Sequence, residues 1–255
     1  MVGQAIVQTN LKVQVRVARQ QTCKPRQHEV LTKGDGEAAL ARGAARVTAG
    51  VRDLATADEL VSRFGDRVVA VLIDLNQPEK IAATAHNFEG VDLLINNVGL
   101  LSSGGLFATD GLDAIEADMK VNFWGTLAVT RAFLPAVERQ KGAIANVLTV
   151  VSLASMAGLG GYSASKAASW SMTQALRAEL GKKGLRVHAV FPGPVDTEMA
   201  KSITLPKTPP DAVAKAILDG IERGDDDIFP DAMATQVATA FMRAPKEVEK
   251  MFAAM

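Results

Sequence analysis

From about residue 37 onward, short apolar runs alternate with longer stretches of helical spacing. The strand candidates are residues 46–51, 67–73, 91–95, 143–151, 185–191 and a short 228–229. Several are apolar at nearly every position, as in Val68-Val-Ala-Val-Leu-Ile73, which predicts burial on both faces of a parallel sheet. Between them, residues 55–64, 78–87, 111–140, 162–183 and 210–223 are each long enough for a helix of two or more turns. Strand, helix, strand in repetition predicts an α/β fold, a doubly wound parallel sheet with helices on both faces. No low-complexity linker divides the chain and no solenoid period repeats, so residues 1–255 read as one domain.

The first forty residues do not join this pattern. Leu11-Lys-Val-Gln-Val-Arg-Val17 alternates strictly, which predicts a half-exposed strand rather than a buried central one. The following stretch, residues 18–29, is polar and basic, with a proline and no glycine. A first βα unit is expected here and is not legible.

Composition narrows the function class. At 48% hydrophobic residues and zero formal net charge, the chain can bury a large core and has no basic block to suggest nucleic acid. The one cysteine, Cys23, excludes an internal disulfide and fits a reducing compartment. The start lacks the charged-then-apolar order of a signal peptide, and no apolar run approaches membrane length. A cytoplasmic protein with neither membrane nor nucleic-acid partner is expected. His28, His86 and His188 are scattered and suggest no metal site; His188, in an apolar run, reads as structural.

The only tyrosine, Tyr162, stands four residues before Lys166. On a helix, that spacing places phenol and ammonium on one face. A nearby ammonium favours the phenolate, at about 1.36 kcal/mol per pKa unit, and so equips the phenol to exchange protons with an alcohol or carbonyl. Asn96-Asn-Val-Gly99 closes one predicted strand, Thr149 to Ser152 close another, and Phe191-Pro-Gly-Pro-Val-Asp-Thr197 follows a third. In an open α/β sheet, ligands bind at such carboxyl ends. Asn122 falls on the long helix predicted between the strands at 91–95 and 143–151.

In order and spacing, these segments resemble the short-chain dehydrogenase/reductase family over about residues 37–255. The resemblance implies a Rossmann-like domain and an oxidoreductase interconverting a small-molecule carbonyl and a secondary alcohol. It implies that Tyr162 donates or accepts the proton, and that Lys166 depresses the tyrosine pKa and holds the nicotinamide ribose. Asn122 matches the asparagine that positions a water in the proton relay. Asn96, Val98 and Gly99 match a segment lining the cofactor, and Pro192, Gly193 and Thr197 the segment holding the carboxamide. Asp74 and Leu75 match the pair that meets the adenine. Thr149 stands where the family usually has a catalytic serine; threonine also donates a hydrogen bond, and Ser152 is the alternative hydroxyl.

At the end of the second family strand, Arg52 precedes any acid, which suits the 2′-phosphate of NADP; an inward-turned Asp53 would favour NAD instead. The apolar segment 199–209, with two lysines, is the expected lid and allows a hydrophobic ketone. Small residues Ala164, Ala167 and Ala168 on the helix at 162–183 suggest pairing into a homodimer or homotetramer.

The family's glycine-rich phosphate loop, Thr-Gly-x-x-x-Gly-x-Gly, is missing. Gly34-Asp-Gly36 is not a substitute, because its acid would repel phosphate. Cys23-Lys-Pro-Arg26 can be encoded so that dropping one base yields Ala-Asn-Arg-Gly, a frequent reading of that loop. Residues 13–36 are therefore read as a frame-shifted version of an ordinary loop, and weak dinucleotide affinity is expected of the chain as written. The alternative is a non-catalytic member that acts through subunit association. A nucleotide-sugar epimerase fits poorly, since little chain remains for a substrate domain.

Overall fold

The computed structural model describes residues 33–102, 104–107 and 112–255, with side chains from Asp35 onward. The predicted strand at 11–17 and the glycine-free stretch lie outside the described residues. The elements run α1 (Lys33–Ala41), β1 (Val47–Val51), α2 (Asp58–Phe64), β2 (Val68–Leu72), α3 (Pro78–His86) and β3 (Leu93–Asn96). Then follow α4 (Asp113–Asp118), a π-helical stretch Met119–Gly125, α5 (Thr126–Gln140), β4 (Ala143–Val147), α6 (Gly160–Gly181) and β5 (Arg186–Val190). The chain closes with α7 (Pro210–Arg223), β6 (Asp227–Ile228), α8 (Ala232–Arg243) and α9 (Pro245–Ala253).

All described ladders are parallel, as the alternation of elements requires. β1 pairs with β2, placing Val47 opposite Val68, and β3-β4-β5-β6 form a second ladder in which Ile95 faces Ala145 and Ala145 faces His188. One apolar cluster joins the two ladders: Val47, Ala49 and Val51 pack with Leu93, Ile95 and Ala145 beneath α1 and α7. The opposite face buries Phe133, Val137, Ile144 and Val187 against α3 and α5. At fractions of a kcal/mol per CH₂ upward, burial on both faces is what holds such strands. Gly142, entering β4, permits its contact with β3, because a Cβ there would stand 2.4 Å from the Val91 carbonyl oxygen.

Three expectations need correction. The run at 68–73 is not buried on both faces: Val69 is 38% and Leu72 54% exposed. Among the described ladders β2 pairs only with β1 and stands at an edge. The strand expected at 143–151 stops at Val147, since Thr149 caps a short 3₁₀ turn, Val150–Ser152. Helices α8 and α9 were not anticipated. Their signals are local: Asp231 caps α8 by accepting from the Ala234 amide, and Pro245 opens α9.

Candidate active site

The carboxyl ends of β3, β4 and β5 open into a cleft of about 940 Å³ that Tyr162, Lys166 and Thr149 line together with Val98, Gly99, Pro192, Gly193 and Thr197. Eight of the sequence-predicted residues thus converge on one space. Tyr162 and Lys166 come from the first two turns of α6 and are 8% and 4% exposed. The Lys166 ammonium donates to the carbonyl oxygens of Val98 (2.8 Å) and Val147 (3.0 Å), bridging the ends of β3 and β4. Burial pulls its pKa down to about 8, partly countered by the negative charge of Asp118. Tyr162 departs from the sequence expectation. Its pKa is raised, first by burial and then by Asp118, so the phenol is held as a proton donor.

The structure separates the two candidate hydroxyls. Thr149 is half-buried and lines the cleft, whereas Ser152 is 4% exposed and accepts from the Thr149 amide at 3.3 Å. Gly193 is held by Asp231, which accepts from the Gly193 amide at 2.8 Å while capping α8, and the Pro192 carbonyl accepts from the Val150 amide at 3.1 Å. A Cβ on Gly193 would stand 2.9 Å from the Asp231 carboxylate, so this contact needs glycine. Asp231 escaped the sequence reading, as did the apolar wall of Met156, Leu159, Met233 and Phe252. Thr197 donates to the Val195 carbonyl at 3.3 Å at the start of the predicted lid.

Five other predicted residues do not line the cleft. Asn122 is fully buried in the π-helical stretch: its amide accepts from Leu100 N–H (2.8 Å) and donates to Leu100 O (2.9 Å) and Ser165 Oγ (2.8 Å). Its carbonyl accepts from Ser169 Oγ at 3.1 Å. Asn96 is also buried, donating to Thr130 Oγ1 and Asn146 Oδ1, both at 2.9 Å. Asp74 is held in a turn by the Asn76 amide and the Gln77 side chain, which keep its carboxyl below the usual range, with a small contribution from Arg52. Leu75 packs where a Cβ on Gly125 would meet it at 2.6 Å. Arg52 is exposed just beyond β1, and Asp53 beside it caps its own turn by accepting from the Ala55 amide.

At the other end of the cleft, Asp35 in the first turn of α1 is 3% exposed and accepts from Asn97 Nδ2 at 3.0 Å. His188 is buried with Nδ1 against the Asp225 carbonyl, a structural arrangement. Among the described residues, no group of three or more His, Cys, Asp or Glu is placed to hold a metal ion. Nor is any helix among them long and apolar enough to cross a membrane.

The short chain dehydrogenase family matches residues 36–208, well over half of the chain, and the match begins immediately after Asp35. The chain belongs to the short-chain dehydrogenase family. A short chain dehydrogenase from Burkholderia cenocepacia, solved in complex with NADP, superposes with a TM-score of 0.80 at 38% identity, covering 86% of this chain and 91% of its own. An uncharacterized oxidoreductase of Staphylococcus saprophyticus is 34% identical over 63% of this chain and 72% of its own length. The 1-deoxy-11-beta-hydroxypentalenate dehydrogenase of Streptomyces exfoliatus is 35% identical over 59% of this chain, and the match spans only 57% of that protein.

Proposed function

We propose that this short-chain dehydrogenase is an NADP(H)-dependent oxidoreductase interconverting a carbonyl and a secondary alcohol. The observation that carries the reading is the convergence of Tyr162, Lys166 and Thr149 on one cleft with an apolar wall. The nicotinamide end suits such a cofactor: Gly99 and Gly193 leave room where a Cβ would press on Met199 or Asp231. When bound, the cofactor supplies or accepts the hydride. In reduction, Tyr162 gives its proton to the carbonyl oxygen, which Thr149 orients by donating a hydrogen bond. Lys166, bridging Val98 and Val147, holds a ribose hydroxyl and resupplies the proton. Asn122 supports this relay at one remove, by fixing Leu100 and Ser165.

Arg52 supports NADP over NAD, since Asp53 is engaged with its own turn and the Burkholderia relative was solved with NADP. The apolar wall suits a hydrophobic ketone or alcohol. Exposed Ala164 and Trp124, on adjoining surfaces, suit pairing with a second copy. One observation favours a second reading. Asp35 places a buried carboxylate on α1 within the cleft, where it would repel a pyrophosphate, and Glu37 lines the same cleft. A member without dinucleotide binding, acting through association, would tolerate this. The two are distinguished by titrating NADPH against the protein and following carbonyl-dependent NADPH consumption. Activity requires weak but saturable binding, and no binding at any concentration favours the second reading.

A further inference from the structure

Asp118 is a buried acid that the proposed reaction does not use. It ends α4, is fully buried, and turns one carboxylate oxygen to the Ser102 amide at 3.1 Å. The other oxygen, Oδ2, has no hydrogen-bond partner among the described residues. The Ser102 hydroxyl donates to Ala114 O at 3.3 Å, and it joins the Ser102 amide in countering the effect of burial on the Asp118 carboxyl. Oδ2 abuts the first turn of α6, where a Cβ on Gly161 would stand 3.3 Å from it. Tyr162 is the next residue, and Lys166 follows one turn later. No side chain among the described residues caps the start of α6, so its first-turn amides and the positive end of its dipole face this region. An orphaned carboxylate oxygen in the interior is costly, and such groups call for a reason.

We propose that Asp118 is a positioning residue that sets the protonation state of the Tyr162–Lys166 pair from beneath the first turn of α6. The proposal rests on the oxidoreductase reading for its purpose but not for its physics. Among the described residues, Asp118 is the one charged group acting on both members: its negative charge stabilises the Lys166 ammonium and opposes ionisation of the Tyr162 phenol. In return, Lys166 is the charge that acts on Asp118, whose pKa rises to about 6, chiefly through burial. The other charged groups on the same helical run, Asp113, Glu116 and Lys120, are exposed. Loop 99–102, packed on the other side, contributes only Ser102 as a polar side chain. With Asp118 ionised, the pair is held as ammonium and neutral phenol, the form that donates a proton. Below about pH 6 the carboxyl takes up a proton, but Lys166 is an ammonium there in any case, so the bias acts around pH 7–8, where Lys166 titrates.

The test is Asp118→Asn, which keeps the shape and the acceptor for Ser102 while removing the charge. Carbon-13 NMR of lysine-labelled protein without cofactor follows the Lys166 titration, with the resonance assigned by Lys166→Arg. The midpoint should fall by about one pH unit, the size expected for one nearby charge at an effective dielectric of about 20. In an active preparation, the limb of the pH–rate profile set by Lys166, near pH 8, should move down by about one unit with Asp118→Asn and return with Asp118→Glu. A Lys166 midpoint within 0.2 of wild type, in a variant with native circular dichroism, overturns the proposal, whether or not the enzyme turns over. A shifted midpoint without carbonyl reduction upholds the proposal and sinks the oxidoreductase reading instead. If Asp118→Asn does not fold, the same titration on Asp118→Ser decides by the same criterion.

Discussion

Substituting Asn96 by alanine separates a structural role from a cofactor-lining one. The Asn96 amide donates two buried hydrogen bonds, to Thr130 Oγ1 on α5 and Asn146 Oδ1 on β4, each 2.9 Å. Asn146 passes the chain on to Thr173 Oγ1 at 2.9 Å, and Thr173 to the Ser169 carbonyl at 2.7 Å. The network therefore ties β3, β4, α5 and α6 together beneath the cleft. Removing two bonds costs about 1 kcal/mol each, and the stranded Asn146 oxygen adds about 1–3 kcal/mol. Asn96 Oδ1 itself has no partner among the described residues, so deleting it returns part of that cost, roughly 1 kcal/mol. The expected net destabilisation is about 2–4 kcal/mol, or a fall in Tm of roughly 5–12 °C for a chain of this size. Urea and thermal unfolding measure it, with NADPH affinity titrated alongside on the folded protein. Asn146→Ala should be less than additive with Asn96→Ala, because both cut the same chain. An unchanged Tm together with lost NADPH affinity would refute the structural assignment.

Thr149→Ala should reduce turnover by roughly 10²-fold, as for loss of an oxyanion donor, while Ser152→Ala mainly lowers stability; steady-state kinetics showing the reverse ranking would transfer the hydroxyl role to Ser152. Arg52→Ala should lower the NADPH-to-NADH preference, read as the ratio of kcat/KM values, and an unchanged ratio would remove Arg52 from the cofactor site. Lys166 has a folded-state pKa of about 8, against 10.5 for an unperturbed lysine. Between these pH values the unfolded chain holds the proton that the folded protein has lost, so this group makes stability rise with pH. Stability should therefore gain about 2–3 kcal/mol relative to Lys166→Met between pH 8 and 10. Urea unfolding at both pH values checks this, and parallel curves for the two proteins would contradict it.

Much of the fold was legible because buried parallel strands carry continuous β-branched and aliphatic runs, and six of them recur between helical stretches. What the pattern hid was exposure: the run at Val68–Leu72 reads as buried, yet its edge position follows from long-range pairing that no local window contains. The turn after β4 was similarly hidden, since Val150 and Val151 look like strand residues until Thr149 and Ser152 cap each other. For the site, the residues at strand ends and on α6 were legible from type and spacing. Asn96 and Asn122 were legible as conspicuous polar residues, but only their packing shows amides spent on neighbouring chain segments rather than on the cleft. Asp118 carried no motif at all. Its relation to Tyr162 depends on how closely Gly161 lets α4 approach α6.

One comparison decides whether Tyr162 is the acid–base group of a dinucleotide-dependent carbonyl reductase. NADPH consumption with a panel of hydrophobic ketones is measured for the wild-type chain and for Tyr162→Phe at high NADPH concentration, with both proteins checked for equal Tm. Wild type should consume NADPH in a ketone-dependent way, and the variant should lose about 10²–10⁴-fold of that rate. A variant that keeps more than half of wild-type turnover, or a wild type that consumes no NADPH with any ketone, would contradict that role.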